Sequence, residues 1–143
     1  LAVERTYNVK SGLGSGFPYP ERIIFPSNST VEAEKIHRSG FGIELVRGKE
    51  ANGEISIRFA NTRAGVGRLS AFGAEVKGFE VAGPDKVFHP VKAIANRFEV
   101  ILDCSQLADP VAVRYAFHNS SDADLTSTFG VPVPSFRTDN WAE

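Results

Sequence analysis

A chain of 143 residues and 15.5 kDa has the size of one domain, and with 42% hydrophobic and 23% charged residues it lies outside the disordered class and can bury a core unaided. Its 16 basic and 17 acidic residues leave a formal net charge of -1, too little field to hold a polyanion or an anionic bilayer, so neither nucleic acid nor membrane is expected as a partner. Cys104 is the only cysteine, which excludes an intrachain disulfide and every metal motif built on two thiolates.

Residues 1–8 contain neither Gly nor Pro and read as the last turns of a helix. Ser11, Gly12, Gly14, Ser15 and Gly16, followed by Pro18 and Pro20, break regular structure and read as a linker. This places the end of a preceding domain in 1–16 and a β-domain in 17–143. The opening residues have no signal-peptide pattern, no run approaches the ~18 apolar residues of a membrane span, and a start at Leu1 without methionine is expected of a piece of a longer product.

From residue 17 onward the period changes to two. Ile55, Ile57 and Phe59 share one face of a strand over 54–59, with Glu54, Ser56 and Arg58 opposite. Val111, Val113, Tyr115 and Phe117 repeat the pattern, with Ala112, Arg114 and Ala116 opposite. Further strands are expected over 22–25, 43–46, 76–81, 86–88, 92–95 and 98–102, separated by turn formers such as Asn52-Gly53, Gly83-Pro84-Asp85 and Asp109-Pro110. About eight short strands with connections too short for crossover helices predict a mostly β protein, an antiparallel sandwich or jelly roll. Residues 130–141, carrying Pro132 and Pro134, are expected to form an extended strap over the surface.

Chemistry is harder to find. Gly12-Leu13-Gly14-Ser15-Gly16 puts Gly14 where a nucleophile elbow needs its serine and lacks the ending of a phosphate loop. Asp85 and His89 resemble an acid–base pair with the spacing off by one, on a turn and a strand that point them apart. His37 sits between cations on an exposed strand, and Cys104 ends an apolar run as a structural thiol. His118 precedes a polar loop with Asp122 and Asp124, a pattern commoner in solvated turns than in cation or sugar sites. Three scattered histidines do not build a zinc site, so no metal is expected. Asn28-Ser29-Thr30 and Asn119-Ser120-Ser121 match the N-glycosylation triplet, which short chains acquire by chance.

The last third of the chain carries a resemblance. The run from Asp109-Pro110 through Val113-Arg114-Tyr115-Ala116-Phe117, then Phe129-Gly130 to Pro134-Ser135-Phe136-Arg137-Thr138-Asp139-Asn140-Trp141, resembles the C-terminal segment of the sialate O-acetylesterase family. Lys77-Gly78-Phe79-Glu80-Val81-Ala82-Gly83 and Phe88-His89-Pro90-Val91-Lys92-Ala93 are similar to two strands of that family, and the likeness runs from about Gly53 to Trp141. Val131, Val133 and the Leu125-Thr126-Ser127-Thr128 loop depart from its usual pattern.

The resemblance implies a serine esterase of the SGNH type that removes acetyl groups from O-acetylated sialic acids without a cofactor. It places the nucleophile, oxyanion hole and acid–base block upstream, so no catalytic residue is assigned within this chain. It further implies the preceding hydrolase domain as partner, an O-acetylated sialic acid or other glycan as the parent's substrate, and a periplasmic or secreted location, lysosomal or extracellular in a eukaryote. Arg114, Tyr115, Phe136, Arg137 and Asp139 are the candidate interdomain contacts. Their plainer reading is structural: Tyr115 and Phe136 bury area, while Arg137 and Asp139 pair together or hold the strap. Two rival roles are a noncatalytic carbohydrate-binding sandwich using Phe72, Tyr115 or Trp141, and a structural spacer.

Overall fold

The computed structural model describes residues 18–31, 37–38, 42–49, 53–60, 75–96, 98–117, 125–126, 133–139 and 141. These residues form strands and connecting turns, arranged as two sheets. In chain order the strands are β1 (Tyr19–Phe25), β2 (His37–Arg38), β3 (Glu44–Arg47), β4 (Glu54–Ala60), β5 (Glu75–Val76), β6 (Phe79–Ala82), β7 (Phe88–Pro90), β8 (Lys92–Ala95), β9 (Glu99–Asp103), β10 (Ala112–Tyr115) and β11 (Phe136–Arg137). The seven-stranded sheet runs β2-β3-β1-β4-β9-β8-β5 and the four-stranded sheet β11-β10-β6-β7. Every described pairing is antiparallel except β1 with β3.

The period-two pattern decides which faces meet. Ile23, Phe25, Ile55, Ile57, Phe59, Val100 and Leu102 point inward from the large sheet, with Ala93 and Ala95 admitting the opposing layer closely. Phe79, Val81, Val113, Tyr115 and Phe136 answer from the small sheet. The aromatic rings gather between the layers. Phe79 and Tyr115 lie 4.6 Å apart, Tyr115 and Phe136 5.8 Å, and Phe136 meets Phe59 of the large sheet edge-on at 6.5 Å. The phenol oxygen of Tyr115, buried among them, accepts a hydrogen bond from the Leu125 N–H at 2.9 Å.

Several expected strands change where the backbone overrides the side-chain pattern. The strand expected over 76–81 is two strands, β5 in the large sheet and β6 in the small one. The chain crosses between sheets at Lys77-Gly78, where Gly78 adopts a φ of 110° open chiefly to glycine. Pro20, expected to break structure, lies within β1, where a register shift between Pro20 and Arg22 accommodates its missing N–H. The strand expected over 86–88 begins at Phe88, because Lys86 has a φ of 65° and the Asp85 carboxylate accepts from the Val87 N–H at 3.1 Å. β10 stops before Ala116, which has a φ of 57°. The helix expected over 1–8 and the 11–16 linker lie outside the described residues.

Cys104 follows β9. Its N–H donates to the Gly53 carbonyl at 2.7 Å, and its thiol is fully buried. Burial, reinforced by the charges of Asp103 and Glu54, pushes its pKa up to about 12. The native thiol should therefore react with a thiol-exchange reagent at pH 8 slower than the unfolded chain by on the order of 1000-fold, from thiolate population alone. Equal rates before and after adding concentrated urea would contradict this placement.

Candidate functional site

On the small sheet, register separates the five candidate contact residues into two groups. Tyr115 pairs with Phe136 and Phe79 and points into the core, whereas Arg114 pairs with Arg137 and Glu80 on the outer face. The strap reaches this face as β11 and continues beside β10. Thr138 clasps β10 twice, its N–H donating to the Val113 carbonyl at 3.0 Å and its hydroxyl accepting from the Val113 N–H at 3.1 Å.

That clasp delivers Asp139 to Arg114. The guanidinium donates from Nε to Oδ1 at 3.0 Å and from Nη2 to Oδ2 at 2.7 Å, a two-point ion pair in which the Arg114 residue is 3% exposed. Alternation expects an outward strand residue to be wet, and Arg114 is not, because the strap and aromatic rings cover it. Its Cζ stands 4.1 Å from the Phe88 ring centroid and 4.4 Å from that of Phe117. Arg137 lies over Phe117 at 5.1 Å, Phe88 is 5.9 Å from Trp141, and the Lys86 ammonium is 5.5 Å from the Trp141 ring. A chain of cation and ring contacts thus runs from Arg137 to Lys86, anchored on one carboxylate.

Burial alone would raise the pKa of Asp139. Hydrogen bonds from Arg114 and from the Trp141 N–H, with the charges of Arg114 and then Arg137, outweigh it and hold the carboxyl below its ordinary range. Asp139 thus takes Arg114 as its hydrogen-bonding partner, while Arg137 acts on it only through charge. It also holds the strap's backbone at Trp141. Phe88 and Lys86 are members that strand reading does not single out, and Phe117, expected on the face of Tyr115, lies instead against Arg114 because the left-handed Ala116 ends the alternation before it. The signal for them is an arginine between Val113 and Tyr115, which a buried position obliges to find both a carboxylate and apolar cover.

The remaining candidates are dispersed. His89 is exposed on β7, the Asp85 carboxylate serves its own turn, and no hydrogen bond joins the two among the described residues. The side chain of His37 and all of Ser15, Phe72, His118, Asp122 and Asp124 lie outside the described residues. Tyr115, considered above as a sugar-stacking ring, is 1% exposed and cannot stack on a ligand. Among the described residues no three His, Cys, Asp or Glu side chains group as metal ligands, and no helix is long and apolar enough to cross a membrane. Asn28 of the first glycosylation triplet is exposed on a turn. Its neighbours tie that turn to the loop before β10: the Ser29 hydroxyl donates to the Pro110 carbonyl at 2.7 Å, and the Thr30 hydroxyl donates to Asp109.

Replacing Asp139 with Asn leaves the Arg114 charge buried without its counter-ion, and urea unfolding at neutral pH should show a loss of about 3–5 kcal/mol. Arg114→Lys should not rescue the site, since an ammonium cannot make the two-point contact or lie flat against the rings. The lowered carboxyl pKa fixes the sign with pH. Its stabilisation is complete above the unfolded value of about 3.9 and is lost as pH falls through the lower folded value. The unsubstituted chain should therefore lose more stability over that acid interval than Asp139→Asn; parallel acid limbs would remove Asp139 from the account.

No protein-family profile and no curated protein matches the chain. Among solved structures it is similar to the crystal structure of a carbohydrate acetylesterase from Xanthomonas citri, with 38% sequence identity and a TM-score of 0.53. The match covers 63% of this chain and 21% of the acetylesterase, so the chain spans about a fifth of that protein's length. This likeness in both sequence and fold relates the β-sandwich to the carbohydrate esterases.

Proposed function

We propose that the chain is the C-terminal β-sandwich portion of a sialate O-acetylesterase-like carbohydrate esterase, with its serine nucleophile, oxyanion hole and acid–base block in the preceding SGNH-type domain. The observation that carries this reading is the 38% identity to a carbohydrate acetylesterase of which the chain spans only about a fifth. The finer assignment to the sialate type is supported by the resemblance of the strap ending in Phe136-Arg137-Thr138-Asp139-Asn140-Trp141.

The chemistry of the described residues agrees with a noncatalytic share of the work. Ester hydrolysis needs a nucleophile within reach of a base and donors for the oxyanion. Here the Cys104 thiol is buried and protonated, the Ser29 hydroxyl is spent on the Pro110 carbonyl, and His89 is exposed on an edge strand. The substrate in this reading is an O-acetylated sialic acid or other glycan, on which the parent acts in the periplasm or outside the cell.

Acetate release from 9-O-acetylated sialic acid tests the assignment, measured for this chain and for the protein extended upstream through the preceding domain. The extended protein should turn over and the chain should not. Turnover of acetylated plant-type sugars but not of the sialic acid would keep the esterase and reject its sialate specificity. Turnover by the chain alone would overturn the division of labour.

A further inference from the structure

The two outer faces of the sandwich are finished differently. On the outer face of the small sheet the buried Arg114 already has its own cover, the Asp139 carboxylate and the rings of Phe88 and Phe117. On the large sheet, register places Val46, Ile24, Ser56, Ile101, Ile94 and Glu75 side by side in one outward row across β3, β1, β4, β9, β8 and β5. Four of these six are β-branched aliphatics, and all four are half-buried. Outward positions on an antiparallel sheet that faces water are normally polar, and an aliphatic row of this length marks a face that is covered.

Charge brackets the row on both sides. Glu44, Arg22, Arg58 and Glu99 form the neighbouring row, where the Arg22 Nε donates to Glu44 at 2.5 Å, and Glu54, Asp103 and Lys92 form the row beyond. An apolar strip with a charged rim has the composition of an interface centre and its border. We propose that this strip is where the preceding hydrolase domain packs, an inference that rests on the reading given under Proposed function.

Two observations select that occupant. The related acetylesterase is nearly five times as long as the part this chain matches, so most of its polypeptide lies outside the sandwich. The first described strand in chain order, β1, is an interior strand of the large sheet, so polypeptide on the N-terminal side connects to this layer before the small sheet begins. Contacts between domains of one chain commonly bury a modest patch that is more polar than an obligate interface, as a single aliphatic row within charged borders would be.

The test is Ile101→Lys, with Ile94→Thr as a milder variant that keeps a β-branched side chain. Both are made in the upstream-extended protein and in the 143-residue chain, and thermal unfolding is followed in each. Ile101→Lys should lower the melting temperature of the extended protein and split one transition into two, while shifting the shorter chain little. Ile94→Thr should act in the same direction by less. Equal loss in both proteins would mean that the chain's own segments cover the strip. No loss in either would mean that it faces water, and two transitions already present without substitution would mean that the domains are uncoupled. Any of these three overturns the proposal. Acetate release by the same unsubstituted extended protein reports separately on the esterase reading, so the two cannot fail unseen together.

Discussion

A guanidinium withdrawn from water has to recover in the protein what it loses in hydration, and Arg114 is the place where this domain meets that requirement. Its charge is neutralised by Asp139, its flat faces are covered by Phe88 and Phe117, and each partner comes from a different part of the chain. No one of them suffices. A carboxylate without the rings would leave the pair open to solvent, and rings without the carboxylate would enclose a bare charge. Strand β7, the turn after β10 and the strap must be seated together, which makes the outer layer of the small sheet a single cooperative unit although only two residues of the strap pair as strand.

The strap reads differently once that pair is known. Pro134 has no N–H to donate, the Val133 N–H before it donates to the Leu125 carbonyl at 3.0 Å, and beyond β11 the strap is retained by Thr138 and Asp139, which clasp β10 from successive positions. Tyr115 and Phe136, next in register to Arg114 and Arg137, face the opposite way and join Phe79 and Phe59 in the core. One side of the strap thus completes the hydrophobic centre while the other completes the charged surface. On the four-stranded layer the chain supplies the partners of Arg114 itself, whereas the outward row of the seven-stranded layer is aliphatic and half-buried.

Much of this architecture was legible in period-two alternation, because a strand with one wet face writes its orientation into its residues. β4 and β8 were read nearly to the residue, and the mostly β sandwich followed from the number and spacing of such runs. Alternation failed wherever the backbone or a distant partner overrode it. Gly78 carries the chain from one sheet to the other inside a run that reads as one strand, and Lys86 delays β7 by a left-handed φ. At the site, Arg114, Arg137 and Asp139 could be singled out from the strap's resemblance, yet which carboxylate meets which guanidinium is set by β-register. That register joins positions 25 apart in the chain and has no local signature.

The crossing at Lys77-Gly78 also bears on which changes of length the domain tolerates. Val76 and Phe79 both point into the core although they stand an odd number of positions apart, so Lys77 and Gly78 between them shift the phase of alternation as the chain changes layer. A one-residue insertion or deletion in a surface turn is absorbed by the turn, but here it would rotate β6 relative to β5 and turn Phe79 and Val81 out of the core. The two-residue link between β5 and β6 is thus a connection whose length is fixed by the core on either side of it.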